Sequence, residues 1–80
     1  MPRLVIEKYD GNVLLERQSV PSLVLAMLDS VLPPGGVEAL ERQGIAVSAF
    51  REASREGRPY SQTVDIKEKG QPIRMVITLD

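Results

Sequence analysis

The stretch 60–79 constrains the fold more than any other part of the chain. "YSQTVDIKE" and "QPIRMVITLD" alternate between polar and apolar residues on either side of Lys69-Gly70. Such period-two patterning about a glycine that supplies positive φ predicts a β-hairpin. Pairing outward from the turn puts Ile66 opposite Ile73, Val64 opposite Met75 and Tyr60 opposite Leu79 on one face. The reverse face sets Asp65 opposite Arg74, a complementary pair worth roughly a few tenths of a kcal/mol.

The N-terminus repeats the device. "RLVIEKY" and "NVLLERQ" flank Asp10-Gly11, read as a two-residue turn. That register faces Ile6 with Leu15 and Lys8 with Val13, with Leu4 on the same side. Val5, Glu7, Leu14 and Glu16 fall on the other. The first and last strands are apolar on both faces, which places them adjacent at the centre of one sheet.

Helical sequence lies between. Pro21 suits a first helical position, so "PSLVLAMLDSVL" reads as a largely buried helix whose polar stripe is narrow. "VEALERQG" reads as a second helix, with Glu38 four residues before Arg42 and Gly44 capping its end in the left-handed conformation. Leu40 and Ile45 then hold the positions whose apolar contact accompanies a Schellman cap. A third helix starts from Ser48 as N-cap, directs Ala49, Phe50 and Ala53 inward with Ser54 at the edge, and stops at Gly57 before Pro59. The expectation is a single α+β domain over residues 1–80. It has ββ-ααα-ββ order and a four-stranded antiparallel sheet of order 2-1-4-3, with helices packed on one face.

"VLPPGG", residues 31–36, is the segment most open to a functional interpretation. A phosphate loop of Walker type needs a preceding strand and a following Lys-Ser/Thr, and neither is present. A linker would have to separate two self-sufficient units, and 80 residues hold one small core. A stop-and-turn between two helices is what remains.

The chain has no histidine and no cysteine. Imidazole bases, imidazole or thiolate metal ligands, disulfides and Ser-His-Asp or Cys-His nucleophiles are therefore excluded. Carboxylate or lysine chemistry is left as the enzymatic alternative, with Glu38 and Glu41 neighbours on one helix; a solvated face explains them as well. Ten Lys and Arg against eleven Asp and Glu give a net charge of −1, unlike the basic excess of a general polyanion binder. Arg51, Arg55 and Arg58 form the one arginine cluster and could contact phosphates, which makes nucleic-acid binding the second alternative. Glu52 and Glu56 alternate with them, however, as on a solvated helix.

No stretch reaches the about 20 apolar residues of a membrane span, and no secretory signal is visible. The expected setting is the bacterial cytoplasm. Val5, Leu14, Val76 and Thr78 would give the outer sheet face unusual apolar content, which suggests pairing with a second copy or a protein partner.

"VEALERQGIAVSAFREASREG", followed by the alternating hairpin, resembles a small uncharacterised bacterial domain. That domain is found singly, in tandem, or attached to SHOCT-like and adhesin-like proteins of the cell envelope. The resemblance spans about Val20 to Leu79 and rests on Gly44, Ile45, Ser48 and Gly57. The sequence departs from the pattern at Ala46 and Ser48, where acidic residues are typical, and in its PPGG turn. It implies no catalytic residue and no cofactor. A non-enzymatic interaction or assembly module, acting as a homodimer, is the expectation.

Overall fold

Alternation at both ends of the chain does produce two hairpins joined into one sheet. The computed structural model describes residues 2–80. β1 (Arg3–Asp10) and β2 (Val13–Pro21) form the first hairpin, β3 (Tyr60–Glu68) and β4 (Gln71–Leu79) the second. The four antiparallel strands run in the order β2-β1-β4-β3, so the first and last strands are central. The second hairpin has the expected register throughout, including Ile66 with Ile73 and Asp65 with Arg74. Lys69 joins Gly70 at positive φ, 53° and 80°, the pair of left-handed residues that a type I′ turn requires.

The first hairpin departs from its expected register. Asp10 pairs with Val13, which makes Gly11 and Asn12 the turn residues, with Gly11 at φ 59°. A β-bulge then shifts the ladder, so that Lys8 meets Glu16, Ile6 meets Gln18 and Leu4 meets Val20. Leu15 has no partner in the ladder and is exposed, whereas Glu16 points to the same face as Lys8. The cause is local: Val13-Leu14-Leu15 is an unbroken aliphatic run, so period-two patterning does not mark a register there.

The chain between the hairpins folds back over one face of the sheet. It forms a 3₁₀ helix (Ser22–Met27) running into α1 (Leu28–Val31), then α2 (Gly36–Arg42) and α3 (Val47–Glu56). Pro21 ends β2 in extended geometry rather than opening an α-helix; the helical turn after it is 3₁₀. Nor is this segment largely buried. Leu25 is, but Leu23, Met27 and Val31 are 66%, 47% and 61% exposed. The layer is one helix deep, so a cylinder that is apolar all round presents its far side to solvent.

"LPPGG" is the stop-and-turn that the sequence implies. The segments Ser22–Val31 and Gly36–Arg42 are bent by 116° across it. Gly35 takes φ 80°, and Gly36 packs so closely on Leu32 that a Cβ there would lie 2.7 Å from the Leu32 Cβ. At the far end of α2, Gly44 N–H donates to the Glu41 carbonyl and Ile45 N–H to the Leu40 carbonyl, which is the Schellman pattern. Glu38 and Arg42 make no ion pair among the described residues.

Ser48 is not the N-cap of α3; the helix begins one residue before it, after Ala46, with no side-chain cap. Gln62 serves the connection instead. From β3 it accepts from Ala46 N–H at 2.9 Å through Oε1 and donates to the Gly44 carbonyl at 2.6 Å through Nε2. The α3 helix directs Val47, Phe50 and Ala53 into the core, where they meet Leu4, Leu25, Val64, Ile77 and Leu79. The Phe50 and Tyr60 rings meet edge to face at 4.8 Å, joining α3 to β3. No polar side chain is buried, and no buried side-chain polar atom lacks a partner among the described residues.

Candidate functional site

Because the helices cover one face only, the other face of the sheet is open. Register places its side chains in rows across the strands. One row runs Ser19, Val5, Thr78, Ser61; the next runs Arg17, Glu7, Val76, Thr63. The third runs Leu14, Tyr9, Arg74, Asp65. Val5, Val76 and Thr78 thus sit together at the centre, half-buried by their neighbours, and Leu14 occupies a corner at 48% exposure. Tyr9 belongs to this surface as well. Sequence reasoning missed it, although its odd-numbered alternation with Val5 and Glu7 marks the face.

Two ion pairs lie on this face, together with Arg3 and Lys67, which make no ion pair among the described residues. Arg17 Nε lies 3.5 Å from Glu7 Oε2, and Arg74 Nε lies 3.9 Å from Asp65 Oδ1. The two pairs occupy adjacent rows, while Arg3 lies opposite Pro21 at one end of the face and Lys67 opposite Pro72 at the other. The centre and its two ion pairs can be covered without stranding an uncompensated charge, the costly event in burying ionised groups, provided Arg3 and Lys67 stay at the rim.

The two sheet edges are different. β2 is exposed from Val13 to Ser19, but the bulge at Leu15 and the adjacent Glu16 and Arg17 discourage a further strand from pairing there. A symmetric antiparallel pairing through the middle of β2 would oppose Arg17 to Arg17 or Glu16 to Glu16, and like charges directly opposite are destabilising. On the helical side of the sheet, Lys8 Nζ reaches Glu68 Oε1 at 2.5 Å and Glu16 Oε2 at 3.6 Å. The hydrogen bond to Glu68, aided by the charges of Glu68 and Glu16, raises the Lys8 ammonium above its ordinary range.

The arginines of α3 have separate tasks. Arg51 Nε donates to the Leu25 carbonyl at 3.1 Å, and its Nη2 lies 3.5 Å from Asp29 Oδ2. Arg58 pairs with Glu56, whose hydrogen bond holds the guanidinium further toward its charged form. Arg55 makes no ion pair among the described residues. Arg51 and Arg55 line one shallow trough between the 3₁₀ helix and α3, and Arg58 lies outside it.

Among the described residues no group of three potential metal-ligating side chains converges. No single helix among them is long and apolar enough to cross a membrane. Comparison with protein-family models, curated proteins and solved structures finds no match.

Proposed function

We propose that this chain is a non-enzymatic interaction and assembly module that self-associates through the open face of its sheet. The observation that carries the reading is surface area. An 8.8 kDa globular monomer exposes about 4,800 Å², whereas this chain exposes 5449 Å². The excess, about 650 Å², is close to the roughly 800 Å² that each partner contributes to an interface of standard size. A fold 17 Å thick and 34 by 28 Å across has that surface to offer on its broad sides.

A second copy is the occupant that this face suits best. Its centre is Val5, Val76 and Thr78, flanked by Tyr9 and Leu14, and Arg17 and Arg74 beside it are matched by Glu7 and Asp65. Contact between two such faces is isologous, and an isologous contact closes as a two-fold dimer. The guarded β2 edge disfavours strand addition there.

The reading is tested by recording amide spectra across a dilution series. Resonances of Val5, Tyr9, Val76 and Thr78 should shift with concentration while those of α2, on the opposite side of the sheet, do not. Spectra that are independent of concentration would contradict it.

A further inference from the structure

The trough on the opposite, helical side is a second surface, and it has a chemistry of its own. It runs along the seam between the 3₁₀ helix and α3. It is open to solvent, with a volume of about 450 Å³ toward Asp29 and Ser48 and about 290 Å³ toward Pro21. Ala26, Ser54 and Arg55 line both parts, so the two adjoin along the seam. Leu25 and Ala26 give it an apolar wall, and Leu23 stands at the Pro21 end with 66% of its surface exposed.

The charges in the trough do not cancel. Asp29 is matched by Arg51, whose Nε is also committed to the Leu25 carbonyl. Arg55, at the waist where the two parts meet, has no ion pair among the described residues. One cation is left over beside an aliphatic wall. A matching ligand therefore supplies aliphatic side chains and a carboxylate. An anionic lipid surface fits poorly, because Glu52 and Glu56 stand on the same helix as the one free cation.

We infer that the trough takes a short segment of a partner protein, in which aliphatic residues cover Leu23 and Ala26 and an Asp or Glu meets Arg55. Together with the sheet face, this gives the module two independent contacts on opposite sides.

The experiment is to pan a random-peptide display library against the immobilised full chain and to map the enriched peptides by amide shift perturbation. Enriched sequences should combine aliphatic residues with Asp or Glu and should perturb Leu23, Ala26, Ser54 and Arg55. Arg55→Glu, at an exposed position that leaves the amide spectrum native, should weaken them roughly tenfold or more. Val5→Asp with Val76→Asp should leave their binding unchanged, which separates this site from the sheet face. The inference is overturned if no peptide is enriched, if those enriched are basic, if they perturb the sheet face, or if Arg55→Glu binds them equally well.

Discussion

Arg51 on α3 donates from Nε to the main-chain carbonyl of Leu25, 3.1 Å away in the 3₁₀ helix. With the longer 3.5 Å contact from its Nη2 to Asp29, this bond ties the exposed, apolar part of the helical layer to α3. It fixes the trough's two walls at a set distance and leaves Arg55 as its free cation. Replacing Arg51 by Met keeps the aliphatic stem and removes the donor. For a partly exposed charge-assisted bond the expected cost is about 1 kcal/mol. Amide exchange should quicken over residues 22–28 more than in the sheet. Uniform acceleration across the whole chain would contradict this assignment.

Gln62 takes the place of the cap that Ser48 does not provide. Substitution by Met leaves Ala46 N–H without its partner in a partly buried site and the Gly44 carbonyl to solvent, at about 1–2 kcal/mol. Gln62→Glu retains the acceptor for Ala46 but loses the donor to Gly44, and so should be costly as well. Ser48→Ala, by contrast, should change stability by no more than about 0.5 kcal/mol. Denaturant unfolding of the three variants checks the order.

The two glycines of "PPGG" are needed for different reasons. Gly35 has space around it but a φ of 80°, so Gly35→Ala costs about 1–2 kcal/mol in backbone strain. Gly36→Ala brings a Cβ to 2.7 Å from the Leu32 Cβ, an atom that no rotamer change can move. Relief requires α2 to shift, at about 1–3 kcal/mol. Gly35→Asn should therefore recover part of the loss at position 35, since Asn tolerates the left-handed region, whereas Gly36→Asn should not recover any at 36. Thermal melts of the four variants decide it.

Lys8 links stability to alkaline pH. Its folded-state pKa is raised above 10.5, first by the hydrogen bond to Glu68. The stabilisation is therefore complete below the unfolded pKa and is lost as pH climbs through the folded one. The informative quantity is the difference between two chains that share every other group. Wild type should lose stability relative to Lys8→Met between pH 9 and about pH 12, and a constant gap between the two would contradict the ion-pair assignment.

How much of this was legible in the sequence follows from what each element depends on. The second hairpin, the sheet order and the cap at Gly44 depend on local patterning and turn chemistry, and all three have the expected form. The first hairpin depends on which of two turn signals wins. Gly11-Asn12 suits a turn with glycine first as well as Asp10-Gly11 suits its alternative, and the aliphatic run after it does not arbitrate. The start of α3 and the exposure of Leu23, Met27 and Val31 are set by tertiary contacts: the reach of Gln62 and the thinness of the helical layer. Residues of the candidate surface followed the same rule. Strand alternation brings Val5, Val76 and Thr78 together, whereas the commitments of Arg51 and Arg58 depend on Leu25 and Glu56 and could not be read from helix spacing alone.

The most direct test of the central claim is sedimentation equilibrium of the wild-type chain beside the Val5→Asp, Val76→Asp double variant. Wild type should rise from 8.8 kDa toward twice that mass as its concentration increases into the high micromolar range, while the double variant stays folded at 8.8 kDa throughout. A wild-type chain that remains at 8.8 kDa over the whole range would contradict the account, as would a double variant that associates equally well.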